Sequence, residues 1–197
     1  LIPRFYDTTS GEILVDGINI KNFSLKELRE KIGFIPQKAV LFRGTIKENI
    51  KFGNQNADDK AIEKAAEIAQ ASDFISSKEE GYDFEVAQGG QNLSGGQKQR
   101  LAIARAVVRS PEIYIFDDSF SALDFKTDIK LRRSLSKETA DATVIIVAQR
   151  ISTIKDANCI IVLENGQIAG KGKHQDLLET CEVYREIVTS QLSAEEM

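Results

Sequence analysis

The sequence predicts an α/β fold in which a mostly parallel sheet carries an inserted block of helices. Three observations predict it. Beyond Pro111 the chain reads strand, helix, strand: residues 113–116 are a short apolar run, a helical pattern opens near Phe125, and residues 143–147 are again apolar and β-branched. Residues 38–109, by contrast, read as mostly helical. Within them, Leu93-Ser94-Gly95-Gly96-Gln97 places two glycines and a hydroxyl at the mouth of a long amphipathic pattern.

Taken in order, residues 11–15 form a strand, and Asp16-Gly17 is the turn that folds residues 18–20 back as its hairpin partner. Ser24-Leu25-Lys26-Glu27 is a capping box that opens a short helix to about Lys31. An apolar strand at 32–35 comes next and is stopped by Pro36. Thr45-Ile46-Lys47-Glu48 is a second capping box, and the alanine-rich residues 58–70 form a helix. Ser94 is a natural N-cap for a helix running to Val108. Asn165-Gly166 joins a strand at 159–164 to one at 167–170, two amphipathic helices come after His174, and residues 193–197 read as a frayed end. His174 itself reads as a surface helix start. The division expected is one domain over 1–197, with an α/β core from 1–37 and 110–197 and a helical subdomain over 38–109.

Composition narrows the function. A chain of 197 residues, 42% hydrophobic, can bury a sizeable core. Its 28% charged residues are mixed in sign, its net charge is −4, and no basic stripe stands out, which argues against a nucleic-acid partner. The longest apolar runs are too short to span a bilayer. Leu1-Ile2-Pro3-Arg4-Phe5-Tyr6 has no charged head, apolar core or cleavage site of a signal peptide, and without an initial Met the chain reads as a fragment. Cys159 and Cys181 are too few for a disulfide framework and lack metal spacing, so a reducing compartment is expected.

Two clusters carry chemistry. A helix opening at Ser94 turns free backbone N–H groups and the positive end of its dipole toward whatever precedes it, and an anion is the favoured occupant. Asp117-Asp118 come directly after an apolar strand, so both carboxylates emerge at its carboxyl end, where open α/β sheets bind ligands. A carboxylate there can hold a Mg²⁺ that bridges nucleotide phosphates. Standing alone, the pair is explained equally well as a strand terminator. It is succeeded at once by Ser121-Ala122-Leu123-Asp124.

The three stretches in this order resemble the nucleotide-binding domain of ABC transporters, a P-loop NTPase fold, over nearly the whole chain. The resemblance implies that residues 93–97 are the signature motif, 113–117 the Walker B strand, 121–124 the D-loop and Gln37 the Q-loop glutamine. Residues 85–89 resemble the X-loop of exporters, and residues 41–50 the exporter form of the helical subdomain's start. It further implies ATP and Mg²⁺ as cofactors, with Ser94, Gly95, Gly96, Gln97, Gln37 and Asp124 near nucleotide and Asp117 with Gln37 near the metal. The partners implied are a second nucleotide-binding domain and the transmembrane domain of the same polypeptide, reached through coupling helices at the cytoplasmic face of the plasma membrane.

Three departures from the family pattern stand out. No Gly-x-x-x-x-Gly-Lys-Ser/Thr occurs, so the backbone cradle and lysine for phosphate are absent from this stretch. Residues 1–7 resemble the later part of the family's P-loop helix, so the P-loop and the N-terminal antiparallel strands are expected to lie upstream. Asp118 stands where the family's catalytic base is usually Glu, and one methylene retracts the carboxylate by roughly 1 Å, a misplacement that can cost about a hundredfold in rate. Gln149 stands where the switch histidine normally sits, and it cannot take a proton near neutral pH. Asp118 and Gln149 weaken one composite site while the signature motif stays whole, which implies the degenerate member of a heterodimer. Two alternatives remain: a non-hydrolytic regulatory nucleotide-binding module, and a soluble ABC ATPase not fused to a transporter.

Overall fold

The computed structural model describes residues 1–195 and divides into two compact units, one spanning Leu1–Val147 and the other running from Ala148 onward. In the first unit, β1 (Leu14–Val15) and β2 (Ile18–Asn19) pair antiparallel. Asp16 and Gly17 between them take positive φ of 53° and 76°, the backbone that a two-residue hairpin of matching twist requires. A short 3₁₀ turn at Ile20–Asn22 leads into α1 (Leu25–Glu30), so Ile20 belongs to that turn rather than to the expected strand. The first capping box forms: Ser24 Oγ accepts from Glu27 N at 3.2 Å, and Glu27 Oε2 accepts from Ser24 N at 3.0 Å. β3 (Ile32–Ile35) comes next.

The helical block opens with a ribbon that the sequence pattern hides. β4 (Gly44–Thr45) leads into α2 (Ile46–Lys51), then come α3 (Asp59–Ile68), α4 (Ser72–Ser76) and β5 (Glu85–Val86), which returns to pair antiparallel with β4. Two residues per strand give too short a run for an alternating pattern to show. The block closes with α5 (Gly95–Val107).

The sheet is built from β3, β6 (Ile113–Asp117) and β7 (Thr143–Val147), all parallel, with β6 in the middle and α6 (Phe125–Glu138) crossing from β6 to β7. Both faces of β6 are covered. Tyr114 and Phe116 pack with Ile46, Ile50, Ile62, Leu101, Ile103 and Leu131 of the helical block and α6, while Ile115 joins Val15, Ile20, Leu28 and Ile32 on the opposite face. Among the described residues β7 lies at the edge of the sheet, and its Val144 and Val147 are 39% and 53% exposed. Residues 1–10 contain no regular helix; Arg4 and Arg29 pin them by donating to Ile20 O and Pro3 O at 3.1 and 3.0 Å.

The second unit holds α7 (Ile151–Ile154), the antiparallel hairpin β8 (Ile160–Glu164) and β9 (Gln167–Gly172), α8 (His174–Thr180) and α9 (Glu182–Glu195). Its own core gathers Ile160, Val162, Leu177, Cys181 and Tyr184. His174 opens α8 as expected, its Nδ1 2.8 Å from the Tyr184 hydroxyl. The fraying expected at 193–197 does not hold as far as Glu195, where α9 still runs, and residues 196–197 lie outside the described residues. Both cysteines are free, and no helix among the described residues is long and apolar enough to cross a membrane.

Candidate functional site

Ser94 begins the site because its extended backbone (φ −66°, ψ 161°) turns its side chain back over the first turn of α5. Ser94 Oγ accepts from Gln97 N at 3.2 Å, and Gln97 Oε1 accepts from Ser94 N at 2.9 Å. This reciprocal box consumes the Gln97 side-chain oxygen. The N–H groups of Gly95 and Gly96 are left over, since the first turn of a helix has no carbonyls behind it. A methyl group built on Gly95 would meet nothing within 4 Å, so that face of the turn is open. One on Gly96 would lie 3.2 Å from Ala122 O, so the helix mouth packs closely on the turn at 121–124. That turn ends at Asp124, which caps α6 by accepting from Thr127 N at 3.0 Å. The bonds to Thr127, helped by the charge of Arg100, hold the Asp124 carboxyl below its ordinary range.

The second cluster forms at the carboxyl edge of the parallel sheet. The register that sets Ile35 beside Phe116 and Asp117 beside Val147 brings the ends of β3, β6 and β7 together. Gln37, two residues past β3, donates from Nε2 to Asp118 Oδ2 at 3.0 Å. Asp118 N donates to Val147 O at 2.9 Å, and Asp118 sits at φ 45°, a left-handed backbone that few residues other than glycine accept. Ser119, almost fully buried, donates from its hydroxyl to Ile35 O at 2.8 Å and locks the acidic strand end onto β3.

Of the residues expected at the site, Gln37, Asp117 and Asp118 therefore meet at one sheet edge, and Ser94, Gly95, Gly96, Gln97 and Asp124 meet at the helix mouth. Gln149 lies in the second unit. Its carbonyl accepts from Gln191 Nε2, and Gln191 Oε1 in turn accepts from Ile151 N at 2.8 Å, so α9 holds this turn. No cluster of three or more His, Cys, Asp or Glu side chains suited to a metal occurs among the described residues. The strand-end carboxylate of Asp117 still suits Mg²⁺, which is commonly held through one or two carboxylates and fills its remaining positions with water and phosphate.

Sequence reading missed the side chains that join the two clusters. Gln99, 2% exposed, donates to Pro36 O at 3.2 Å. Arg105 donates to Asn49 O at 2.8 Å, to Asn49 Oδ1 at 2.9 Å and to Val40 O at 2.9 Å, with its guanidinium over the rings of Phe42 and Phe52. Burial pushes the Arg105 pKa down to about 10, so it keeps its charge at neutral pH. The only sequence signal was a pair of polar residues on the apolar side of a helix.

A helix mouth open to an anion and an acidic strand end at the carboxyl edge of a parallel sheet define a nucleotide-binding protein of the P-loop NTPase class. The family described as ABC transporter matches residues 1–121, and this chain belongs to it. An uncharacterized ABC transporter ATP-binding protein of Mycobacterium tuberculosis is 46% identical over 194 residues, covering 97% of this chain and 33% of that protein. A putative multidrug export ATP-binding/permease protein of Staphylococcus aureus is 46% identical over 191 residues, covering 97% of this chain and 33% of that protein. The solved structure of a bacterial Atm1-family ABC exporter with ATP bound superposes with a TM-score of 0.95 at 41% identity, covering 97% of this chain and 34% of that one. The chain thus spans about a third of the length of these relatives.

Proposed function

We propose that this chain is the ATP-hydrolysing part of an ABC exporter and that its signature helix completes a site on a second nucleotide-binding domain, while its own half-site is degenerate. The observation that carries the reading is the contrast between the clusters. At the helix mouth every side chain needed to shape the turn is in place, and Gly95 and Gly96 present N–H groups on an open face. At the sheet edge the carboxylate in the base position is Asp118, already engaged by Gln37.

In this reading Ser94, Gly95 and Gly96 bind the terminal phosphate of ATP held by the partner, using backbone donors whose geometry is fixed before the ligand arrives. Asp117 and Gln37 hold Mg²⁺, which when bound neutralises charge on the nucleotide phosphates. Asp118 orients water as an impaired base, and Gln149 supplies a donor and an acceptor without titrating. Asp124 shapes the turn between the clusters through its cap on α6. Val40 and Phe42, 58% and 47% exposed on the segment just beyond Gln37, and Phe52, 58% exposed at the end of α2 with its ring 4.7 Å from that of Phe42, offer apolar surface suited to receive the coupling helices of a transmembrane domain at the cytoplasmic side of the membrane. A phosphate-binding loop from the same polypeptide would complete the nucleotide cradle.

The discriminating experiment is ATP turnover by the intact exporter. Ser94→Arg fills the open helix mouth and should abolish turnover, whereas Asp118→Glu combined with Gln149→His should change it only modestly. Undiminished turnover in Ser94→Arg would end the reading.

A further inference from the structure

Gln191 stands on the inner stripe of α9. Tyr184 and Val188 precede it at the i, i+4, i+7 spacing that lines one helix face, and both pack into the core of the second unit. Ile151 and Ile154 of α7 pack against the same core. An apolar side chain is the ordinary choice at the next place on such a stripe. The chain has an amide there.

Both ends of that amide are used. Gln191 Nε2 donates to Gln149 O, and Gln191 Oε1 accepts from Ile151 N at 2.8 Å. The second bond answers a local need. Ile151 is the first residue of α7, so its N–H has no helix carbonyl one turn behind it. Arg150 holds the N-cap position (φ −91°, ψ 123°), and a guanidinium has donors only, so the acceptor that Ser24, Thr45 and Ser94 provide at their own helices cannot come from it. It comes instead from 40 residues along the chain.

The two bonds straddle Arg150. They hold the carbonyl of Gln149 and the N–H of Ile151, hence the peptide planes on either side of Arg150, and so the direction in which the Gln149 side chain leaves the backbone. Among side chains of this length only the amide offers a donor together with an acceptor. We propose that Gln191 is a positioning residue that reaches in from α9 and aims Gln149 at nucleotide bound in this chain's own half-site. The proposal rests on the reading in which Gln149 contacts that nucleotide.

The test uses the intact exporter loaded with radiolabelled ATP and Mg²⁺, and follows the loss of label recovered as ATP. In the degenerate-site reading that label reports this chain's half-site, whereas nucleotide at the partner's site is recovered as ADP. Gln149→Ala should speed the loss by about tenfold, the cost of one hydrogen bond to a charged group. Gln191→Met, of similar volume, removes both bonds; Gln191→Glu keeps the acceptor for Ile151 N and removes only the donor to Gln149 O. Each should speed the loss to a similar extent, and neither should add to Gln149→Ala. Hydrogen exchange keeps the fold in view: the amides of β8 and β9 should stay as protected as in the parent in both Gln191 variants. Additive losses would overturn the proposal, because a substitution that merely loosens the unit acts whatever stands at 149. Parent-like retention in both Gln191 variants, with fast loss in Gln149→Ala, would likewise sink the positioning role and leave the nucleotide contact standing. Parent-like retention in Gln149→Ala would remove the contact itself and the positioning role with it.

Discussion

Gly53 shows how much of this site depends on single residues. Its missing side chain lets the turn after α2 close onto Arg105 O, and a methyl group there would sit at 1.9 Å, far inside contact. Gly53→Ala should therefore destabilise the fold by about 1–3 kcal/mol, measured by urea unfolding, because the backbones must part to admit it. An ordinary exposed Gly→Ala change would be close to neutral or mildly stabilising, which would contradict the close approach. Residues whose role comes from local spacing were legible: Ser24 and Thr45 make the capping boxes their neighbours predict, and Ser94 is the N-cap expected, closed further into a box by Gln97. Gln37, Asp117 and Asp118 were legible through resemblance to a family pattern. Gln99 and Arg105 were not, because their partners lie more than fifty residues away in sequence and are mostly backbone carbonyls, which any residue supplies.

Among the elements, β6 was the most readable. An unbroken apolar run between Pro111 and an acidic pair leaves little choice but a strand buried on both faces, and its alternation sends Tyr114 and Phe116 to one core and Ile115 to the other. The β4–β5 ribbon was invisible for the opposite reason: only its pairing partner makes Gly44–Thr45 a strand. Burial in β6 also gives a pH signature, since it pushes the Tyr114 hydroxyl up to about 12 while an unfolded phenol ionises near 10. Between those values the folded chain keeps a proton that the unfolded chain has lost, so stability falls as pH rises through the window. Comparing Tyr114→Phe with the parent isolates the phenol: the variant should lose less stability between pH 10 and 12 in chemical unfolding.

At the scale of the whole molecule, the parallel sheet has only three strands among the described residues, and β7 leaves its outer edge unpaired. Exposed Val144 and Val147 beside unpaired backbone groups make a template for another strand. The chain on its own should self-associate through this edge, and Val144→Lys should lower that association in light scattering without changing the helical content; equal association in the two would locate the sticky surface elsewhere. The division after Val147 has a different consequence. Asp118 is anchored by the sheet and its flanking cores, whereas the Gln149 turn is anchored by Gln191 of α9, in a unit whose core is built on Ile160, Leu177 and Tyr184. The two residues that depart from the family pattern thus stand on separate foundations. A lesion as remote as Leu177 could silence one and spare the other, so two variants of equal overall stability need not be equal in function.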